Sequence, residues 1–166
     1  MIEKKIGVNE EEAIEAYINK AESKQFYIEA FGKYQSQGGF VWVWSSWALF
    51  GGIFFLLYRK LYVEAIVFMA ISILAGGLLP VAIIIWIASG GVFTFFIYKR
   101  YEKIRKSARD NDVDGILLLE SLKELGGYNQ WAIYVAVGLN VLFLIAIVVL
   151  GVNITNDPEM LKMLIK

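Results

Sequence analysis

Three stretches of this chain carry no ionic side chain, and that distribution limits the possible folds more than any motif does. There is no Lys, Arg, Asp or Glu between Tyr34 and Tyr58, from Ala65 to Tyr98, or from Leu125 to Asn156. Almost all the charge lies in residues 1–33, 99–124 and the last ten positions. A water-facing surface needs no such segregation, whereas hydrocarbon enforces it through the cost of burying an ion. The hydrophobic share of 58% and mean hydropathy of +0.56 exceed the roughly 45–50% apolar content of soluble domains. The expected fold is therefore an all-α integral membrane protein. It should have three to four membrane segments, the first spanning or re-entrant, with amphipathic helices at the N terminus and in one loop.

Composition also removes function classes. Sixteen basic residues balance sixteen acidic ones, so no bulk charge argues for nucleic acid. With no Cys and no His, thiolate chemistry and the commonest metal and acid–base ligands are missing, and no cofactor is expected. No carboxylate lies deep in an apolar stretch, and Ser45 and Ser46 have no evident base. A non-enzymatic role is expected. The lysines of the first residues have no apolar run behind them, so no cleaved secretory signal is expected.

Along the chain, residues 1–38 read as an N-terminal amphipathic helix, expected in the cytoplasm. Asn9 can cap it, Glu10 to Glu12 occupy its first turn, and Gly38 and Gly39 end it. Its apolar positions recur at helical spacing over 9–35, with a slip near Gln25. Residues 39–98 hold the first membrane segment and a two-span hairpin. The uncharged stretch ending at Tyr98 exceeds the roughly 20 residues of one crossing, so the chain must reverse at "AGGLLPV", Ala75 to Val81. Residues 99–127 read as a cytoplasmic basic loop with a surface helix whose Ile116, Leu119, Leu122 and Leu125 share one side. Residues 128–152 read as the last transmembrane helix and 153–166 as a C-terminal tail. Tyr98 to Arg109 carries six positive charges and one negative, and Arg59 and Lys60 follow the first segment. Both clusters are expected on the cytoplasmic side.

The first apolar segment, residues 40–58, admits two paths. A spanning helix would need a very tight turn at Tyr58 to Lys60. A break at Gly51 and Gly52 would instead let two half-helices dip in and return, provided that protein covers the break. Trp42, Trp44 and Trp47 suit a position near the headgroups, and the re-entrant path is the favoured expectation.

At this segment "SSWALFGGIFFLLYRKLY", Ser45 to Tyr62, resembles the signature of a bacterial family of small inner-membrane proteins known as domain of unknown function 2628. The matching motif positions include Gly52, Tyr58, Arg59 and Lys60. The family's Asn and Trp fall on Ser45 and Ser46, its Pro on Ile53 and its second Trp on Phe55. The likeness extends back to "FYIEAFGKY" and forward to "LKELGGYNQW", covering about residues 26–145. It implies a multi-pass protein of the bacterial inner membrane and brings no activity.

Three further patterns name candidate residues. Asp110, Asp112 and Asp114, followed by Gly115, have the spacing of a calcium loop, but position twelve is Ser121 in place of the bidentate Glu. An acidic turn capping the next helix explains the same residues. Lys99, Arg100, Lys103, Arg105 and Lys106 could hold anionic lipid headgroups, although positive-inside topology accounts for them as well. Ala132, Ala136 and Asn140, with Gly90 and Thr94 on the preceding span, form small or polar faces suited to helix packing. Together these features suggest an accessory or assembly protein in contact with lipids and with a membrane-protein partner or further copies of itself. The alternative is a small homo-oligomeric channel or transporter component.

Overall fold

The computed structural model describes residues 8–156. Among the described residues there are seven α-helices, one short 3₁₀ turn and no strand. The chain divides into two compact units, Met1–Asn129 and Gln130–Lys166.

In the first unit α1 (Glu10–Ile18) is capped by Asn9, whose side chain accepts from the Glu11 amide at 3.3 Å. The single helix expected over 9–35 is in fact two. Asn19 takes a left-handed conformation (φ 49°), residues Ala21–Ser23 form the 3₁₀ turn, and α2 (Lys24–Gln37) begins afterwards. The slip near Gln25 marks this break: each short helix turns its own apolar face inward, Ile14, Tyr17 and Ile18 from α1 and Tyr27, Phe31 and Tyr34 from α2. One continuous helix could not aim both sets at the same core.

Helix α5 (Leu79–Asp110) is the spine of this unit, about 48 Å long at 1.5 Å per residue. Pro80 lies in its first turn, where a missing N–H costs nothing. The helix runs straight through Lys99–Asp110, so the basic stretch expected as a loop is its final three turns. No breaker stands between Tyr98 and Asp110, and residues of good helix propensity carry the helix onward. Its polar end joins α1, α2 and α6 (Gly115–Leu125) in an aromatic headpiece. The Phe31 ring lies 5.3 Å from Tyr98 and 5.1 Å from Tyr101, while Tyr34 is 5.2 Å from both Phe95 and Tyr98.

The face of α6 also differs from expectation. It buries Gly115, Leu118 and Leu122, chiefly against α1, and leaves Ile116 75% exposed. Its start at Gly115 sets the rotation: Asp114 caps the helix, its Oδ1 accepting from the Gly115 amide at 2.7 Å. Leu118 and Leu122, one turn apart, then face the headpiece.

The first apolar segment runs down α5 and back up, with α5 as the ruler. Phe40 lies 5.3 Å from Phe95, and Trp42 and Trp44 cover Gly91 and Gly90. The Ser45 amide donates to the Gly90 carbonyl at 2.7 Å. Phe50 reaches Trp86 at 6.4 Å; Phe55 is then level with Phe93 at 6.3 Å, and the Lys60 carbonyl meets Arg100. The deepest point is about 18 Å below Tyr98 along the helix. Reversal occurs inside α3 (Ser46–Tyr58), where Gly52 has φ 48° and ψ −127°, a combination open to glycine and strained for L side chains. No proline is required, so Ile53 at the family's Pro position does not prevent the break.

Helix α4 (Tyr62–Ala75) returns to α5 through the residue 76–78 turn, with Phe68 edge-on to Phe93 at 4.9 Å. It is about 21 Å long, short of the ~30 Å hydrocarbon layer. Among the described residues two helices are long and apolar enough to cross a membrane, α5 and, in the second unit, α7 (Trp131–Asn156), while α3 and α4 are apolar but shorter. Helix α7 begins three residues later than the expected span and runs beyond residue 152, into what was expected to be tail; positions 157–166 lie outside the described residues.

Candidate functional site

The densest set of specific contacts gathers at the turn after α3, on Tyr58, Arg59 and Lys60. Arg59 is 6% exposed. Its Nη1 donates to the carbonyl of Ile18 at 3.1 Å, and its guanidinium lies over the Tyr27 ring at 4.8 Å and the Tyr58 ring at 5.5 Å. Lys60 adopts a left-handed backbone (φ 59°), and its Nζ donates to the Glu124 carbonyl at 3.0 Å. Arg100 donates to the Lys60 carbonyl and, through Nη2, to the Leu125 carbonyl at 3.3 Å.

One physical rule unites these contacts. Ile18 closes α1, and Glu124 and Leu125 close α6. The last carbonyls of a helix lack intrahelical donors and carry the negative end of its dipole, so Arg59 holds the end of α1 to the turn after α3, while Lys60 and Arg100 hold the end of α6 to that turn and to α5. The chain after α6 completes the clasp. The Gly127 amide donates to the Tyr17 carbonyl at 2.6 Å, the Asn129 amide to the Tyr58 carbonyl at 2.8 Å, and Tyr128 stacks on Tyr58 at 5.1 Å. Among the described residues the Arg59 Nε has no hydrogen-bond partner and no carboxylate pairs with this charge, which lies against aromatic faces.

A second node centres on Glu10. Its carboxylate accepts from the Tyr101 hydroxyl at 2.9 Å, from the Gln35 amide at 2.8 Å and from Arg105. It thereby ties α1 to α2 and α5. Burial pushes the phenols of Tyr17, Tyr27 and Tyr101 well above their ordinary range, the nearby arginines opposing it, and pushes Tyr34 up to about 12. These phenols therefore stay protonated and uncharged at physiological pH.

The expected site residues separate accordingly. Of the five lipid-headgroup candidates, Arg100 and Arg105 are engaged within the protein. Lys99 pairs with Glu102 at 3.4 Å and lies over Phe95, while Lys103 and Lys106 are exposed. Gly90 and Thr94 are buried, with Trp44 and Leu49 over Gly90. In α7, Ala132 is buried, Ala136 half-buried, and the exposed Asn140 donates to the Ala136 carbonyl at 2.8 Å, so part of its polarity is met within its own helix. Asp110 ends α5, Asp112 is a left-handed turn residue and Asp114 a helix cap. Among the described residues no three acidic side chains converge to hold a metal ion. Sequence spacing did not identify the Glu10 node. Its signal was the aromatic recurrence Tyr27, Phe31, Tyr34 opposite Tyr98, Tyr101, Arg105, legible only once two helices face each other.

A model of the family described as "Protein of unknown function (DUF2628)" matches residues 14–101, more than half of the chain. That interval holds α2, the broken segment and the clasp residues Arg59, Lys60 and Arg100. No curated protein and no solved structure matches.

Proposed function

The chain belongs to the DUF2628 family of proteins of unknown function, and we propose that it acts as a non-enzymatic accessory or assembly protein of a bacterial inner membrane. In this reading α5 and α7 cross the bilayer, α4 forms a short hairpin arm with α5, and residues 40–58 re-enter it. The headpiece lies on the cytoplasmic side with the basic end of α5.

The observation that carries the partner is the backbone of residues 40–44. This run without regular secondary structure lies beside Gly90 and Gly91, and among the described residues its peptide groups have no hydrogen-bond partner. Within hydrocarbon each unmatched peptide group costs several kcal/mol, so non-helical backbone at depth needs protein cover. The flank that this chain leaves open is apolar, with Trp47 83% and Phe50 77% exposed. A partner helix or extended segment laid there would satisfy both needs. Lipid alone satisfies only the second.

Photo-crosslinking from positions 44 and 47 in intact membranes, read by mass spectrometry, tests this. A stoichiometric heterologous membrane protein is expected. Crosslinks only between copies of this chain, together with solute or ion conduction by the purified protein in liposomes, would replace the accessory role with the channel alternative.

A further inference from the structure

A shallow cleft of about 200 Å³ opens on the headpiece beside the last turns of α5. Arg105, Lys106 and Arg109 line it with a single carboxylate, Glu102, which Lys99 engages at 3.4 Å. Glu10 binds Arg105 and fixes its position. Lys106 and Arg109 have no carboxylate within ion-pair distance among the described residues. The rest of the lining is largely apolar or aromatic, with Tyr98 and Tyr101 on the same helix and Val8, Ala13 and Leu118 from other segments. Two cations without a carboxylate partner, one helical turn apart and beside aromatic rings of the same helix, match a compact dianion attached to a less polar body.

We propose that this cleft binds a phosphate monoester, held by Lys106 and Arg109 and backed by Arg105. A phosphate monoester carries close to two negative charges at neutral pH, and its oxygens suit both the forked guanidinium and the mobile ammonium. A carboxylate would match only one of the two charges. The phosphate can come from a water-soluble molecule or from a lipid headgroup. Lys106 stands about 12 Å beyond Tyr98 along α5, past the roughly 5–8 Å headgroup layer, which favours the soluble source. This inference does not depend on which protein covers residues 40–44.

The test uses the full chain in phosphatidylcholine nanodiscs titrated with inorganic phosphate, followed by phosphorus NMR and calorimetry. A second preparation contains phosphatidic acid in the disc. The Lys106→Gln/Arg109→Gln double variant is compared with Lys103→Gln, an exposed lysine outside the cleft. Saturable one-to-one binding is expected, weakened roughly tenfold or more in the double variant and unchanged in Lys103→Gln. Binding of inorganic phosphate in neutral discs assigns a soluble source; binding only with phosphatidic acid assigns the lipid. The proposal fails if neither preparation shows saturable binding by the folded protein. It also fails if Lys103→Gln weakens binding as much as the double variant, since general surface charge would then account for it. Unchanged circular dichroism of the double variant verifies that the loss is local.

Discussion

The guanidinium of Arg59 closes the C terminus of α1, donating to the carbonyl of Ile18 at 3.1 Å across 41 residues of sequence. The contact joins the headpiece to the return limb of the broken apolar segment. Truncation to Ala removes a charged hydrogen bond, two aromatic contacts and packed volume. We expect Arg59→Ala to lower the stability of the purified protein by about 2–4 kcal/mol. Arg59→Lys should recover little of this, because an ammonium lacks the flat face that stacks on Tyr27. Denaturation in mild detergent measures both. A loss under about 0.5 kcal/mol for the Ala variant would remove the clasp from the account.

Two glycine substitutions should act with opposite sign. Gly52→Ala places a Cβ on a backbone with positive φ at the reversal point, and a loss of about 1–3 kcal/mol is expected. Gly32 lies on the exposed side of α2 with open space around it, so Gly32→Ala should gain about 0.5–1 kcal/mol. Thermal unfolding of the two variants side by side reads the difference. Equal effects would show that residue 52 is not the bend.

Tyr34 is fully buried and among the described residues its hydroxyl has no partner. Tyr34→Phe removes an unsatisfied polar group at constant shape and should stabilise by about 1 kcal/mol. A destabilised Phe variant in chemical denaturation would reveal a bond to that hydroxyl.

Alkaline pH should unfold the headpiece. The phenol of Tyr34 is raised to about 12 in the folded protein, and those of Tyr17, Tyr27 and Tyr101 are raised in the same direction. A raised value means that the folded state holds its proton more tightly than the unfolded chain. The associated stability is complete below about pH 10, the usual phenol value, and is lost as pH rises through the folded value. Absorbance at the tyrosinate band, followed with circular dichroism, should show these phenols ionising together with loss of helix. Their titration near pH 10 in a fully folded protein would contradict the buried core.

Glu10 serves three donors at once, and Glu10→Ala strands Tyr101, Gln35 and Arg105. About 2 kcal/mol of destabilisation is expected. Glu10→Gln should fall between wild type and Ala, since it keeps an acceptor and loses the charge. Hydrogen exchange of α1 amides checks that the change is local to the junction of α1 with α5.

The helical character of the chain, the reversal within Ala75 to Val81, the cap at Asn9, an acidic cap before α6 at Asp112 or Asp114 and a break at Gly51 and Gly52 were all legible in the sequence. Each depends on local rules: ionic side chains avoid hydrocarbon, short polar side chains accept from the first amides of a helix, and glycine accommodates positive φ. Local rules could not tell that α1 and α2 are separate helices, that the basic residues continue α5, or that α6 buries Leu118 in place of Ile116. Those outcomes depend on which faces meet. The same limit applies to the cations. Spacing alone gives Arg59, Lys60, Arg100 and Arg105 one reading, as charges at a membrane surface, because nothing nearby in sequence competes for them. Tertiary structure brings the ends of α1 and α6 and the carboxylate of Glu10 to them from dozens of residues away, and the attraction of unpaired carbonyls and of that carboxylate for positive charge turns these four inward, while Lys99, Lys103, Lys106 and Arg109 stay exposed.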